Sequence, residues 1–328
     1  MRHYTHIADL GVDGVAAVVA RVLEWKRTSP GKHLQDRLLG MVFFNPSLRT
    51  RVSFEAAMLR GGGHAVVLDV GAGVWKLEYR DGAVMDGDRP EHVREAVPVL
   101  GEYCDALAVR TFAALEDFDV DNADPVMRAF RAHATVPLIS MESAREHPCQ
   151  GLADVVSIAE FAGATRGVPV TLTWAPHVKP LPHAVPNSFL LTAAAAGCAV
   201  RVAHPPGFEL HASVVAEAQA LAQAAGGRVE FTHDQGAALD GSRAIYAKAW
   251  GPSSVGASVT AHRDWMLSRT VLDATAPDAC FLHCLPLRRN VEVHDSVLDD
   301  SRSRVVANAA NRFDVQRVLL DLMLNGDR

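Results

Sequence analysis

Short apolar runs alternate with longer segments of helical periodicity along most of this 328-residue chain. The short runs suit buried strands, whereas the longer segments repeat their apolar residues every three or four positions, as helices do. We predict one series of strands at 39–44, 65–69, 106–110 and 136–140, and a second at 168–174, 199–203, 229–231, 244–247 and 280–283. Near-continuous apolar strands separated by helices are typical of parallel sheets that helices cover on both faces. The pattern therefore predicts two α/β units.

The size of the chain also indicates two domains. A chain of this length, 49% hydrophobic, exceeds what one hydrophobic core usually serves, and domains of roughly 150 residues are common. Between the two series of strands, Pro148 suits the first turn of a helix, and the apolar spacing after it predicts a helix that bridges the domains. We place the first domain at 1–146, completed by a C-terminal helix at 308–328, and the second at 147–307.

The net charge and the cysteine content restrict the classes of binding partner and the cellular compartment of the protein. A formal net charge of −6, with no long basic stripe, argues against nucleic acid or an anionic membrane as a partner. The five cysteines are scattered and show no C-x-x-C spacing, so a reducing cytoplasm fits better than a disulfide framework. The N-terminus lacks a signal-peptide pattern, and no apolar run reaches the ~18 residues that span a bilayer. We expect a cytoplasmic protein that holds any anionic ligand with a few placed arginines.

A polar turn with two arginines follows the first predicted strand. The turn, at 45–51, reads Asn-Pro-Ser-Leu-Arg-Thr-Arg and leads directly into a predicted helix. A helix N-terminus offers unpaired N–H groups and a partial positive charge, to which Ser47 and Thr50 add hydroxyls and Arg49 and Arg51 add guanidinium groups. The turn is therefore a candidate oxyanion site, although a capped helix with two solvated arginines has the same sequence pattern.

Other cationic and imidazole side chains follow predicted strands or open predicted helices. In an open α/β sheet, ligands bind at the edge formed by the carboxyl ends of the strands. The residues concerned are Arg110, His147, Lys248, His283 and Arg312. Together with the turn, they suggest a site for a dianion and a polarised carbonyl group, which suits acyl or phosphoryl transfer.

Two other kinds of site find little support in the sequence. The chain has no G-x-G-x-x-G and no G-x-x-x-x-G-K-[ST] motif, and its three consecutive glycines at 61–63 follow a predicted helix, which argues against a nucleotide site. His147, Cys149, His283 and Cys284 have donor atoms for a metal, but neither segment has the spacing of a metal site. We therefore predict no metal.

Three motifs, in this chain order, resemble those of the aspartate/ornithine carbamoyltransferase family. They are the S-x-R-T-R turn at 47–51, the H-P-x-Q helix start at 147–150 and the H-C-L-P loop at 283–286. The resemblance implies two α/β domains, each with a mainly parallel sheet flanked by helices, joined by two interdomain helices. It implies a homotrimer with active sites shared between subunits. It also implies transfer of a carbamoyl group from carbamoyl phosphate to an amine, with no metal or organic cofactor.

The resemblance also implies roles for individual residues. Arg110, His147 and Cys284 are expected to be catalytic. The residues expected to bind carbamoyl phosphate are Ser47, Leu48, Arg49, Thr50, Trp75, Arg110, His147, Pro148, Cys149, Gln150, Cys284, Leu285 and Arg312. Those expected to bind the accepting amine are Pro90, Glu142, His177, Lys248 and Arg288. Within the first set, Gln150 and the backbone of Cys284 and Leu285 are expected to hold the carbamoyl amide.

The proline-rich loop at 174–182 indicates which amine accepts the carbamoyl group. Family members that use free ornithine carry a Ser-Met-Gly motif, which this chain lacks. The loop instead resembles that of members that carbamoylate an N-acylated ornithine, and the segments around Trp75 and at 84–88 are similar to the same branch. In that branch the Trp reaches the site of a neighbouring subunit. The resemblance therefore implies an N-acylated ornithine as the acceptor.

Pro90 bears on the identity of the acyl group. The resemblance places a Glu here in members that use N-acetylornithine and a Pro in members that use N-succinylornithine. A Glu would repel the additional carboxylate of a succinyl group. The spacing between Glu142 and His147, and the absence of a Lys two positions after Asn290, favour the succinyl substrate as well. Alternatively, Pro90 simply opens a helix before Glu91.

We therefore predict transfer of the carbamoyl group to N-succinyl-L-ornithine, giving N-succinyl-L-citrulline and phosphate in arginine biosynthesis. N-acetyl-L-ornithine is the alternative acceptor. An alternative of another class is a non-catalytic paralogue that binds carbamoyl phosphate or an amino acid. The presence of Arg49, Arg110, His147 and Gln150 argues against it, because a pure binder need not polarise a carbonyl group.

Overall fold

Two units make up the chain in the computed structural model, which describes residues 3–253 and 258–326. Unit 1 consists of Met1–Leu10, Ala20–Cys149 and Phe313–Arg328, and unit 2 consists of Gly11–Val19 and Gln150–Arg312. The domain limits drawn from the sequence remain a prediction, and their outermost residues, 1–2 and 327–328, lie outside the described residues.

Unit 1 contains a five-stranded parallel sheet and a separate parallel pair of strands. Its strands are β1 (His3–Tyr4), β2 (Leu38–Phe43), β3 (His64–Asp69), β4 (Leu77–Glu78), β5 (Glu91–His92), β6 (Ala106–Arg110) and β7 (Leu138–Glu142). The strand order of the large sheet is β1-β7-β6-β2-β3, and β4 pairs with β5. Every residue of β6 and β7 is buried, as expected for central strands covered on both faces.

Unit 2 contains a second five-stranded parallel sheet. Its strands are β8 (Pro169–Trp174), β9 (Ala199–Ala203), β10 (Arg228–Thr232), β11 (Ala244–Lys248) and β12 (Cys280–Leu282). Their order is β10-β9-β8-β11-β12. The predicted fold class, α/β with a parallel sheet in each domain, is thus confirmed.

Helices connect the strands of both sheets. They are α1 (Gly11–Thr28), α2 (Arg49–Gly61), α3 (Val93–Tyr103), α4 (Phe118–Ala123), α5 (Pro125–His133), α6 (Pro148–Ala162), α7 (Ala184–Ala195), α8 (Ala212–Ala225), α9 (Gln235–Leu239), α10 (Arg269–Thr275), α11 (Asp295–Leu298) and α12 (Val305–Asn325). Two short 3₁₀ helices lie at Ile7–Asp9 and Arg263–Trp265. Among the residues described, no helix combines the length and the apolar character needed to cross a membrane.

The sheet orders bring the carboxyl ends of particular strands together. In unit 1, β7, β6 and β2 are neighbours, and their carboxyl ends carry Glu142, Arg110 and the turn at 44–48. In unit 2, β8, β11 and β12 are neighbours, and Lys248 ends β11. Neighbouring parallel strands end at the same edge of a sheet. Motifs that are far apart in the chain therefore lie close together within each unit.

The segment before α3 differs from its prediction. The sequence predicts a helix from residue 91, but Glu91–His92 form β5 and the helix begins at Val93. Pairing with β4 holds the segment extended, and the His92 ring caps the helix by accepting a hydrogen bond from the backbone N–H of Arg94 at 3.1 Å. Pro90 is therefore not the first residue of a helix, and the alternative reading of this proline is wrong.

Candidate active site

The turn after β2 places hydroxyl and guanidinium groups at the start of α2. The backbone N–H of Thr50 donates to Ser47 Oγ at 3.3 Å, so Ser47 caps the first turn of the helix. Thr50 is buried, whereas the side chain of Leu48 is 75% exposed. The other end of α2 closes at Gly62, whose φ of 89° lies in the left-handed region that glycine adopts readily. The first turn of α2, with its partial positive charge, thus lies at the carboxyl edge of the sheet.

Arg51, the second arginine of the turn, already has a carboxylate partner. Its guanidinium group forms an ion pair with Asp69, at the end of β3, and lies 5.3 Å from the centre of the Phe43 ring. The side chain is therefore fixed by groups of its own unit. The prediction that the arginines of the turn bind an anionic ligand stays a prediction, and Arg51 has the carboxylate of Asp69 as a partner in this structure.

Arg110 has three partners within unit 1. Its Nη1 lies 2.6 Å from Glu142 Oε2 and donates to Thr50 Oγ1 at 3.2 Å. The guanidinium group also lies 4.7 Å from the centre of the Phe112 ring. Arg110, Glu142 and Thr50 are buried, and a buried charge needs such partners because it has lost its hydration. Arg110 is thus held in one orientation beside the first turn of α2.

His147 shares the carboxylate of Glu142 with Arg110. Its Nε2 lies 3.5 Å from Glu142 Oε2, and the imidazole is buried. One carboxylate at the end of β7 therefore orients both a guanidinium group and an imidazole. Such a set can hold two oxygen atoms of a ligand, or stabilise negative charge that develops on one of them.

The start of α6 is anchored on both sides. The Tyr4 hydroxyl, in β1, donates to the backbone oxygen of Pro148 at 3.2 Å, and Cys149 Sγ donates to the backbone oxygen of Ser140 at 3.6 Å. Burial raises the pKa of Tyr4 well above its ordinary value, so the hydroxyl remains a donor. These contacts fix the position of His147, which directly precedes the helix.

Trp75 and Pro90 lie at the surface of unit 1, near the pair β4–β5. The Trp75 side chain is 60% exposed, and its indole N–H donates to Glu91 Oε2 at 2.6 Å. Pro90 is exposed as well. Its neighbour Arg89 lies 3.3 Å from the buried carboxylate of Glu78. The Arg80 guanidinium group lowers the pKa of Glu78 well below its usual range, so this carboxylate is ionised. The charged side chains on either side of Pro90 thus have partners within unit 1.

In unit 2, Gln150 belongs to a buried network of amide and carboxylate groups. Its Nε2 donates to Asp154 Oδ1 at 2.8 Å and to Asn308 Oδ1 at 3.1 Å. Asn308 Nδ2 in turn donates to Asp154 Oδ1 at 2.9 Å. All three side chains are fully buried. The sequence analysis missed Asp154 and Asn308, although the spacing of four residues between Gln150 and Asp154 places them on one face of a helix.

The carboxyl group of Asp154 is fully buried. Burial raises its pKa from an ordinary value of 3.8 to about 7, although Gln150 and Asn308 donate hydrogen bonds to it and the charge of Arg312 favours ionisation. Tyr246, in β11, also interacts with this carboxyl group. The network therefore contains a carboxyl group that changes its charge near neutral pH.

The loop after β12 approaches the same network through Tyr246. The Tyr246 hydroxyl interacts with Cys284, and its pKa is raised well above its ordinary value, first by burial and then by the charges of Asp154 and Cys284. Leu285 has a φ of 56°, an unusual conformation for a residue other than glycine, and its N–H donates to His283 Nδ1 at 2.8 Å. The backbone of this loop is thus fixed by contacts within unit 2.

A second buried carboxylate in unit 2, Glu292, lies among basic side chains. Its Oε1 is 3.8 Å from His177 Nε2, and its Oε2 is 3.6 Å from His283 Nε2. Burial by itself would raise the pKa of Glu292, but the nearby His283 imidazole and the charge of Lys248 lower it to about 2. Arg288 is exposed, and its backbone N–H donates to Glu292 Oε1 at 2.9 Å. Glu292 therefore links His177, Lys248 and the loop that carries Arg288.

The predicted site residues thus divide between the two units. In unit 1, the structure brings Thr50, Arg110, Glu142 and His147 into contact. In unit 2, it brings Lys248 and His177 to Glu292 and places Arg312 near Asp154. Among the residues described, the histidines, cysteines and acidic residues form no group of three or more that could hold a metal ion.

Both domains of one protein family match the chain. The model described as "Aspartate/ornithine carbamoyltransferase, carbamoyl-P binding domain" matches residues 2–160. The model described as "Aspartate/ornithine carbamoyltransferase, Asp/Orn binding domain" matches residues 183–323.

Two curated relatives are similar over nearly their whole length. The N-succinylornithine carbamoyltransferase of Bacteroides thetaiotaomicron is 39% identical over 99% of this chain and 99% of its own. The N-acetylornithine carbamoyltransferase of Xanthomonas campestris pv. campestris is 34% identical over 100% of this chain and 99% of its own.

Solved structures of N-acetyl-L-ornithine transcarbamylase are similar in fold as well. In four of them one glutamate is replaced, by alanine, serine, proline or valine, and each is complexed with carbamyl phosphate and N-succinyl-L-norvaline. Their TM-scores lie between 0.92 and 0.94 at 34% or 35% identity, over 98% of this chain and 100% of theirs. This chain therefore belongs to the aspartate/ornithine carbamoyltransferase family and is a carbamoyltransferase.

Proposed function

We propose that this enzyme transfers the carbamoyl group of carbamoyl phosphate to the side-chain amine of N-succinyl-L-ornithine. The products are N-succinyl-L-citrulline and phosphate, in arginine biosynthesis. Full-length similarity to carbamoyltransferases that are named for N-succinylornithine and N-acetylornithine supports an N-acylated acceptor. The choice of the succinyl group rests on Pro90.

The observation that carries the transfer chemistry is the cluster of Arg110, His147 and Glu142 beside the start of α2. The neutral amine attacks the carbamoyl carbon, the carbonyl oxygen takes up negative charge, the C–O bond to phosphate then breaks, and the leaving phosphate takes the proton that the amine loses. Fixed positive charge and N–H donors stabilise the developing oxyanion and the leaving phosphate, because they need no reorganisation during the reaction. We assign the oxyanion to Arg110 and His147, and the phosphate to Ser47–Thr50 and Arg312.

The other carbamoyl phosphate contacts extend this assignment. We propose that Gln150 and the backbone oxygens of Cys284 and Leu285 hold the carbamoyl amide, which offers two N–H donors. Pro148 and Cys149 contribute through the start of α6, which Tyr4 and Ser140 anchor. These contacts orient the carbamoyl plane for attack, and orientation of this kind is a large part of the rate enhancement in group transfer.

Charge supports the assignment of the acceptor residues. N-acylated ornithine carries an α-carboxylate, and the N-succinyl compound carries a second carboxylate on its acyl group. We propose that Lys248, Arg288 and His177 bind these anionic and polar groups, with Glu292 holding Lys248 and His177 in place. Glu142, whose Oε2 is shared by Arg110 and His147, lies next to the amine in this proposal.

Pro90 supports the succinyl group as the acyl tail. Acetyl-type members carry a Glu at this position by resemblance, whereas this chain has a residue without charge. Four solved variants of the acetyl-type neighbour lack one glutamate and are complexed with N-succinyl-L-norvaline. We take this glutamate to correspond to Pro90. The complexes with the succinyl compound have alanine, serine, proline or valine in place of the glutamate. What these four residues share is the absence of a carboxylate, so we propose that this absence admits the succinyl group.

An acceptor assay tests the proposal. The purified enzyme is given carbamoyl phosphate with ornithine, N-acetyl-L-ornithine or N-succinyl-L-ornithine, and phosphate and the ureido product are measured. We expect kcat/KM to be at least about tenfold higher for the succinyl compound than for the acetyl compound, and free ornithine to be a poor substrate. Equal or better turnover of N-acetyl-L-ornithine would replace the succinyl assignment with the acetyl one.

We also propose a homotrimer in which Trp75 reaches the active site of a neighbouring subunit. The large exposed fraction of its indole ring supports a role outside the core of its own unit. Gel filtration with light scattering should give three times the 35.3 kDa mass of the chain. Mixing two inactive variants, Trp75→Ala and Arg110→Ala, should restore part of the activity if sites are shared. A monomeric mass would contradict the proposal.

A further inference from the structure

The side-chain amide of Gln150 has a donor end that is fully used and an acceptor end that is not. Nε2 donates to two oxygen atoms, Asp154 Oδ1 and Asn308 Oδ1. Oε1 is buried and accepts no hydrogen bond from the described residues. A buried acceptor without a donor is unfavourable, so the amide is held in this orientation by its other contacts, and Oε1 remains available to a ligand.

Asp154 determines which end of the amide points inwards. A carboxylate accepts hydrogen bonds and donates none, so it selects the NH₂ end of Gln150. Turning the amide over would bring Oε1 against Asp154 Oδ1, and the two oxygens would repel each other. Asp154 also orients Asn308, whose Nδ2 donates to the same Oδ1, and this leaves Asn308 Oδ1 to accept from Gln150. One carboxylate thus fixes both amides.

We propose that Asp154 is a positioning residue for carbamoyl transfer: its carboxylate holds the Gln150 amide so that Oε1 accepts a hydrogen bond from the carbamoyl NH₂ group. The inference rests on the proposed function, in which Gln150 binds this group. It adds a consequence for selectivity. Acetyl phosphate has a methyl group where carbamoyl phosphate has NH₂, so an amide held with its oxygen towards the ligand contributes to the discrimination between the two.

The charge of Asp154 makes this selectivity depend on pH. The groups that face its carboxyl group are Gln150 from its own helix, Asn308 and Arg312 from α12, and Tyr246 from β11. With a pKa of about 7, the carboxyl group is ionised above neutral pH and protonated below it. A protonated carboxyl group can donate to Gln150 Oε1, which permits the reversed orientation. Selectivity for carbamoyl phosphate should therefore fall as the pH is lowered through about 7.

Equilibrium binding tests the role of Asp154 without an acceptor. The dissociation constants of carbamoyl phosphate and acetyl phosphate are measured for the wild type, Asp154→Ala, Gln150→Ala and the double variant. We expect the selectivity ratio to fall about tenfold in each single variant, as for one hydrogen bond, and no further in the double variant. Effects that multiply in the double variant would overturn the proposal, because Asp154 would then not act through Gln150.

Two further variants separate positioning from a general loss of structure. Ser157 lies one turn further along α6 and accepts a hydrogen bond from Asn311 at 3.0 Å, so Ser157→Ala removes a comparable buried contact and should leave the ratio unchanged. Asp154→Asn keeps the volume and the accepting oxygen, so it should fold even if Asp154→Ala does not. Because its NH₂ group can donate as a protonated carboxyl group does, its selectivity should match that of the wild type at low pH and should lose the dependence on pH. A dependence that persists in Asp154→Asn would overturn the proposal.

The two proposals fail in different ways. If no acceptor is carbamoylated, the proposed function is wrong. The selectivity ratios of the wild type, the two single variants and the double variant can still be measured by binding. If succinylornithine is carbamoylated and Asp154→Ala keeps the wild-type ratio in a folded protein, the function holds and the positioning role is wrong.

Discussion

Replacing Pro90 with glutamate is expected to reverse the choice of acceptor. A new carboxylate at ~5 Å from the succinyl carboxylate, at an effective dielectric constant of about 20, costs roughly 3 kcal/mol, which corresponds to about a 100-fold loss in kcat/KM for N-succinyl-L-ornithine. The acetyl compound lacks this carboxylate and should keep or gain activity. The measurement is the ratio of the two kcat/KM values at saturating carbamoyl phosphate.

The matched control is Pro90→Ala. It removes the proline ring but adds no charge, and Pro90 is exposed and lies before β5 rather than in a helix, so the fold should tolerate the change. If the absence of a carboxylate is what admits the succinyl group, Pro90→Ala should keep the wild-type preference within a few-fold. A shift of equal size in both variants would mean that the proline conformation is what selects the acceptor. No shift in Pro90→Glu would show that residue 90 does not contact the acyl group.

The parallel sheets could be predicted from the sequence because their central strands are mostly apolar. The central strands β6 and β11 have every residue buried, and their predicted and observed limits agree within one residue. β1 and β4 were missed, since two residues give no periodicity to detect. Their existence depends on pairing with strands far away in the chain, at β7 and β5.

The motifs placed the principal charges of the site at the correct sheet edges, but they could not give the partners of each charge. Arg49 and Arg51 look equivalent in the sequence, and only the folded structure, in which β3 ends beside the start of α2, shows that Arg51 has Asp69 beside it. The joint contact of Arg110 and His147 with Glu142 likewise depends on the pairing of β6 with β7. Side-chain pairing across strands is a property of register, which local patterns do not determine.

The buried carboxylates were the hardest feature to predict. Asp154 lies in an apolar segment of the sequence and Glu292 in a polar one, and charged residues are rarely found fully buried without partners. The partners of Asp154 come from α12, far along the chain, and from β11. The spacing of four residues between Gln150 and Asp154 was the one local sign of their contact. It indicates a buried network only once the fold brings Asn308 and Tyr246 to the same place.

Replacing Arg110 with alanine should have the largest effect on catalysis of any change in unit 1. Arg110 is the buried cation that contacts both Thr50 and Glu142, and the proposed mechanism places developing negative charge beside it. Removing one such preorganised donor typically lowers kcat by about 100- to 1,000-fold. The change also leaves Glu142 with His147 alone, so binding of the amine should weaken as well. Steady-state kcat and KM for both substrates, together with single-turnover rates, measure the effect.

Arg110→Lys separates the charge of this residue from its geometry. Lysine keeps the positive charge, but its ammonium group cannot donate from a planar fork to Thr50, Glu142 and a substrate oxygen together, so kcat should still fall by about 100-fold. Arg37→Ala is the matched control, because it removes another arginine of unit 1 that is paired with a carboxylate, Asp105, at 2.7 Å. The Arg37 variant should keep kcat within a few-fold. Arg37 precedes β2 whereas Arg110 ends β6, so the two arginines lie at opposite edges of one parallel sheet. A comparable loss of kcat in both variants would contradict the placement of the chemistry at the carboxyl edge.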